Sequence, residues 1–152
     1  MPPVGAMAPL FTLPDDSGVP VSLASLRGQR VVLFFYPKDS TVGCTAQVCG
    51  LRGKWSAVRK TGAAVFGVSP DSVASHRKFR RRHRLPFPLL VDADHTVADA
   101  YGVWGAKVLF GYHYFGNLRT TFVIDAQGRI ERIFERVNPL AHAAQVLEAL
   151  GA

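Results

Sequence analysis

Apolar runs without polar interruption alternate with amphipathic stretches along most of the chain, a pattern that predicts strands alternating with helices. The run Val31-Val-Leu-Phe-Phe-Tyr36 shows no alternation, as expected of a central strand buried on both faces. Residues 63–68 and 87–91 read as further buried strands. Residues 44–60 predict a helix closed by Gly62. Ser69-Pro70-Asp71-Ser72 offers an N-cap for a helix running to about His83, and Pro86 stops it. A short helix is expected near residues 96–101. Residues 10–13 and 19–23 flank the turn Asp15-Asp16-Ser17-Gly18, and residues 119–125 and 129–135 flank Ala126-Gln127-Gly128, so two hairpins are predicted. Residues 139–150 close the chain as an amphipathic helix with Leu140, Val146, Leu147 and Leu150 on its apolar face. Together these elements define an α/β fold, with a mixed central sheet, helices on both faces and an N-terminal hairpin extension. Residues 102–118 fit no period. Their rings, Trp104, Phe110, Tyr112, Tyr114 and Phe115, are expected to pack the segment onto the body or to line a substrate mouth.

The composition supports this reading. A chain of 152 residues with 48% hydrophobic and 11% aromatic content can bury a proper core as one domain, and it contains no repeat or linker. The start of the chain has neither a basic region nor an unbroken apolar stretch, and the apolar runs are too short to span a membrane. A cytoplasmic protein is therefore expected, in a compartment where paired cysteines are more often catalytic or metal-binding than structural. The net charge of +7 is concentrated in His76-Arg-Lys-Phe-Arg-Arg-Arg-His-Arg84. This run reads as a solvated helix face, with an acidic docking partner or nucleic acid as alternatives. No helix-turn-helix pattern or zinc-finger spacing accompanies it.

The candidate chemistry lies with the two cysteines, Cys44 and Cys49, both just after the first buried strand. A thiol at a helix start faces peptide N–H groups that have no partner within the helix, and these favour the thiolate. An ordinary thiol is only about 3% ionised at pH 7, and the thiolate is the nucleophile. The spacing adds a constraint. Helical residues i and i+5 lie about 140° and about 7.5 Å of rise apart, so their Cα atoms are roughly 8.5 to 9 Å distant. A disulfide requires about 7 Å or less. If the segment is helical when reduced, the pair can join only when the first turn unwinds, which reads as a redox switch. The plain alternative is two unrelated buried thiols acting as small hydrophobes.

Pro37-x3-Thr41-x2-Cys44, Cys49 and the downstream Arg119-Thr-Thr-Phe-Val-Ile-Asp125 resemble the peroxiredoxins, within them the bacterioferritin comigratory protein or peroxiredoxin Q branch. Gly67-Val-Ser-Pro-Asp71 and Leu85-Pro-Phe-Pro-Leu-Leu90 extend the likeness over nearly the whole chain. The resemblance implies a thioredoxin-like fold and a peroxidase acting on hydrogen peroxide and organic hydroperoxides. It implies Cys44 as peroxidatic nucleophile, Cys49 as resolving thiol and a Cys44–Cys49 disulfide intermediate, recycled by thioredoxin or a similar dithiol. Thr41 and Arg119 would hold the thiolate and the peroxide oxygens, Pro37 would shield the site, and Gln47 would support the arginine. The N–H groups around Gly43 and Cys44 would also face the substrate. Val42 stands where this branch usually carries proline, which frees φ and restores an N–H before Gly43.

Several functions compete with this reading. A disulfide oxidoreductase is expected to carry Cys-x-x-Cys, unlike the spacing here. A metal-binding module would need the histidines, but His76, His83, His95, His113 and His142 show no zinc-like spacing, so no metal or other cofactor is expected. A nucleic-acid-binding module would rest on residues 76–84 alone. The chain is expected to act as a monomer, without membrane contact. Ionising a thiol fully raises the thiolate by a factor of about 30, roughly 2 kcal/mol. Enzymes commonly accelerate reactions by about 10⁶ or more. Donors that position the peroxide and stabilise the departing oxygen must supply the difference.

Overall fold

The computed structural model describes residues 1–152 except for the side chain of Leu109. The strands are β1 (Thr12–Pro14), β2 (Pro20–Ser22), β3 (Val31–Phe35), β4 (Ala64–Ser69), β5 (Leu89–Val91), β6 (Trp104–Leu109), β7 (Tyr112–Asn117), β8 (Thr120–Ile124) and β9 (Ile130–Phe134). The helices are α1 (Val42–Gly53), α2 (Trp55–Lys60), α3 (Val73–His83), α4 (Thr96–Ala100) and α5 (His142–Leu150). The central sheet has the order β5-β4-β3-β8-β9, with β3, β4 and β5 parallel and β8 and β9 antiparallel. The mixed sheet of the α/β class and the N-terminal hairpin, β1 with β2, are thus as expected.

Every residue of β3 is buried, because the strand lies mid-sheet with side chains on two covered faces. Val32, Phe34 and Tyr36 meet Val48 and Leu51 of α1, Val58 of α2, Phe79 of α3 and Val146 and Leu150 of α5. Val31, Leu33 and Phe35 meet Val97 and Ala98 of α4, Tyr101, and Ala8, Phe11 and Leu23 from the N-terminal segment. Both faces are covered, but unevenly. Gly67 of β4 has a packing reason, since a Cβ there would sit 2.8 Å from the Phe34 ring and 2.9 Å from Leu89.

Three expectations need correction. The helix predicted over 44–60 breaks at Lys54, whose N–H bonds back to Leu51, and α2 starts anew at Trp55. Gly53, a weak helix former, sits at the break. Leu140 is 85% exposed, so α5 buries His142, Ala143, Val146 and Leu150 instead, starting two residues beyond it. Residues 102–118 form the hairpin β6–β7, with Gly111 and the positive-φ Phe110 at its tip. Phe110 is 99% exposed, and Tyr112 and Phe115 are also exposed, while Trp104 stacks on His95. Those exposed rings do not pack the segment onto the body. Paired strands order the outer part of the segment, while Trp104, packed against the core, ties its base to the body as expected.

The basic run is only in part a solvated face. Arg77, Lys78, Arg81, Arg82 and Arg84 are exposed, but His76 and Phe79 are buried and Arg80 forms an ion pair with Asp16 at 3.0 Å.

At the start of α5, His142 is fully buried against the Phe34 ring, with its Nε2 2.9 Å from Thr121 Oγ1. Burial, reinforced by the Arg119 charge, pushes its pKa down to about 3. The unfolded chain takes up a proton near pH 6.5 that the folded ring refuses, so this contribution to stability is full above that pH and declines as pH falls. Lowering the pH from about 7 to about 5 is expected to cost about 2 kcal/mol through His142 alone. Urea unfolding of wild type and His142→Gln at both pH values checks this; equal pH slopes in the two proteins would refute it.

Candidate active site

The site forms where β3 leaves the sheet and α1 begins. Asn117 Nδ2 donates to Tyr36 O at 3.1 Å and to Val68 O at 3.3 Å, pinning the strand ends together. From Tyr36 the chain bends at half-buried Pro37 and is anchored by Asp39, a buried carboxylate that sequence reasoning did not single out. Its Oδ1 accepts the Tyr36 hydroxyl at 2.6 Å, its Oδ2 lies 2.7 Å from His76 Nδ1 and accepts the Ser75 hydroxyl at 2.9 Å, and its backbone N–H donates to Asp71 at 2.9 Å. His76 Nε2 lies 2.8 Å from Leu90 O, so both ring nitrogens face acceptors. Burial alone would depress the His76 pKa, but the hydrogen bond and charge of Asp39 outweigh it and raise the value. The pair fixes the loop to α3. Asp39, Asp71 and His76 are also the one cluster of possible metal ligands among the described residues, but Asp39 satisfies its neighbours directly.

Thr41 occupies the N-cap of α1, accepting the N–H of Thr45 on its carbonyl at 2.9 Å. Its hydroxyl donates to Lys38 O at 3.0 Å and forms no hydrogen bond with the Cys44 sulfur or with the helix N–H groups. The N–H groups of Val42, Gly43 and Cys44 precede that first helical bond, and no acidic side chain lies in the first turn. An anion is favoured there.

Arg119, from the residue before β8, reaches this turn because β8 pairs with β3 in the register Phe35 to Thr120. Its Nη2 lies 3.4 Å from Cys44 Sγ, and its Nη1 donates to Gln47 Oε1. Cys44 and Gln47 are buried, three residues apart on one face of α1. A Cβ on Gly43 would stand 3.1 Å from Arg119 Nη2 and 3.6 Å from Pro139. Thus Cys44, Arg119, Gln47 and Gly43 are brought together. Cys49 is half-buried further along α1, its sulfur facing His83 rather than Cys44, and both cysteines are free.

Lys107 of β6 also belongs to this neighbourhood. Its ammonium donates to Asn117 O at 3.1 Å, and its pKa is lowered by burial first and by the Arg119 charge second, with Cys44 acting the other way. The sequence offered no signal for it, because the hairpin that delivers it was unreadable.

A thiol at a helix start with a guanidinium on its sulfur, carried just past the carboxyl end of the central strand of a mixed α/β sheet, defines a thiol-based redox enzyme. The chain belongs to the AhpC/TSA family, whose profile matches residues 4–133. It is 48% identical to the putative peroxiredoxin bcp of Coxiella burnetii over 97% of each chain. To peroxiredoxin Bcp of Bacillus subtilis it is 42% identical, over 97% of this chain and 94% of that one. Among solved structures, a mutant of Xylella fastidiosa PrxQ superposes with a TM-score of 0.91 at 29% identity, covering 98% of this chain and 95% of that one. The Xanthomonas campestris bacterioferritin comigratory protein, described with alkyl peroxide reduction activity, gives 0.86 at 33%, over 93% and 90%. The fold is thioredoxin-like, as expected, and the protein is a thiol-dependent peroxidase, an oxidoreductase.

The close approach at Gly43 yields a prediction that separates stability from chemistry. Gly43→Ala should strengthen α1 by up to about 1 kcal/mol while displacing the Arg119 guanidinium from the sulfur. Peroxide reaction is expected to slow by roughly tenfold or more. Stopped-flow oxidation and a melting curve measured together decide it; unchanged kinetics would show that the fork tolerates a methyl group.

Proposed function

We propose that Cys44 attacks the terminal peroxide oxygen as a thiolate, giving Cys44 sulfenic acid and an alcohol or water, and that Cys49 then condenses with it. That step forms the Cys44–Cys49 disulfide and releases water. A dithiol reductant, thioredoxin or a protein like it, restores both thiols. Hydrogen peroxide and organic hydroperoxides are the substrates.

The observation that carries this reading is the 3.4 Å contact between Arg119 Nη2 and Cys44 Sγ. A guanidinium is permanently charged and presents several donors in one plane, so it can hold a thiolate and polarise a peroxide oxygen with different N–H groups. Gln47 orients that fork. The free N–H groups of Gly43 and Cys44 add donors for the departing oxygen, Pro37 walls the approach, and the Thr41 hydroxyl would have to turn from Lys38 O to reach the thiolate or the peroxide.

Both thiols of the cycle lie on one helix, so a single-domain monomer can complete it without a second copy. Free thiols suit the cytoplasm, and no helix among the described residues is long and apolar enough to cross a membrane. Nucleic acid is not a partner in this reading, since His76, Phe79 and Arg80 of the basic run are committed to the fold.

Coupled NADPH oxidation with thioredoxin and its reductase should show peroxide turnover in wild type and none in Cys44→Ser. Cys49→Ser should accumulate a dimedone-reactive sulfenic acid at Cys44. Equal trapping at Cys49 in the Cys44→Ser protein would reverse the assignment. Arg119→Met is expected to slow the peroxide reaction by more than the roughly 30-fold that ionisation alone can explain. Measured at a pH where the thiol is ionised in both proteins, equal rates would confine Arg119 to stabilising the thiolate.

A further inference from the structure

His83 ends α3 with its imidazole against the second thiol. Its Nδ1 lies 3.7 Å from Cys49 Sγ, within hydrogen-bond reach of sulfur. Two contacts hold it there. Arg52, three residues past Cys49 on α1, donates from Nη1 to His83 O at 2.6 Å, and the ring packs edge-on against Phe79 with centroids 5.1 Å apart. The charged groups facing the imidazole are cations, Arg52 from α1 and Arg82 from α3, and no carboxylate pairs with it among the described residues.

We propose that His83 is the base for disulfide formation, accepting the Cys49 thiol proton on Nδ1 as the Cys49 sulfur attacks Cys44 sulfenic acid. This rests on the reading of Cys44 and Cys49 given above. The Cys49–Cys44 S–S bond forms and the Cys44 S–O bond breaks. The Cys49 sulfur is oxidised, the Cys44 sulfur is reduced, and the oxygen leaves as hydroxide. The proton held on His83 passes to that hydroxide, so water is released and the imidazole returns neutral.

Burial first, and then the Arg82 and Arg52 charges, lower the His83 pKa. The ring is therefore neutral at physiological pH, with a lone pair available to accept a proton. The need is chemical: an unassisted thiol is only about 3% ionised at pH 7, and a lingering sulfenic acid is open to further oxidation by a second peroxide. The placement also assigns the motion. Val48 and Leu51 are fully buried and Arg52 is tied to His83, whereas Val42 is 90% exposed. Cys49 therefore stays beside its base while the turn carrying Cys44 unwinds toward it.

The test is rapid-quench mass spectrometry of disulfide formation after one equivalent of hydrogen peroxide, in wild type, His83→Gln and His83→Ala, from about pH 6.5 to about pH 9.5. At about pH 7 both variants should form the bond at least about tenfold more slowly, with the deficit closing near pH 9.5 as the thiol ionises unaided. Added imidazole should restore His83→Ala. Wild-type rates in both variants, or a deficit that is constant with pH and insensitive to imidazole, would overturn the proposal, the latter leaving His83 a packing residue. If wild type itself forms no Cys44–Cys49 bond, the underlying assignment fails and this inference falls with it.

Discussion

In the proposed cycle one short helix must serve two geometries that exclude each other. Wound, α1 presents Cys44 to Arg119 and gives the sulfur the free N–H groups of its first turn. In the same state Cys49 lies five positions further along a continuous helix, with its Cα too distant for a disulfide. The local sequence reflects that conflict. Gly43 is a poor helix former, the Thr41 side chain leaves its capping position unused, and no acidic residue complements the dipole. Each omission weakens the first turn by about 1 kcal/mol or less. The second half of α1 is held by Val48 and Leu51 in the core. The first turn, where Cys44 alone is buried, is weak in its own capping and propensity, and the turns past Val48 are held by the core.

What fixes the weak turn is contact from other elements, and this is where fold becomes chemistry. The sheet register delivers Arg119 from β8, and the Asp39–His76 pair locks the preceding loop to α3. In the proposed cycle, the electrostatic grip of Arg119 on a Cys44 thiolate would be lost once the sulfur became a neutral sulfenic acid, and the first chemical step would thereby loosen the turn that must unwind for the second.

Much of this was legible in the sequence, for identifiable reasons. Val31 to Phe35 declared itself because a strand covered on both faces has no polar alternation. Cys44, Cys49 and Arg119 stood out because their residue types are chemically narrow, and the structure brings Cys44 and Arg119 together across the sheet. The break at Lys54 was hidden, since apolar periodicity continues across it into α2. The β6–β7 hairpin was unreadable because its rings face outward, so no buried period marks it. Lys107 was lost with it. Asp39 and His83 were missed for a different reason: each acquires meaning only from a partner on another element, His76 in one case and Cys49 in the other.

The central claim is that disulfide formation requires α1 to unwind at its start while the sheet stays intact. Amide hydrogen exchange in the reduced protein and after stoichiometric peroxide, with the Cys44–Cys49 bond verified by mass spectrometry, tests it most directly. The account predicts faster exchange within residues 42–54 in the oxidised form, concentrated in the first turns at residues 42–48 and small past Val48, reversed by dithiol, with β3 and β8 unchanged. Identical exchange in that segment in both redox states, with the bond present, would contradict it.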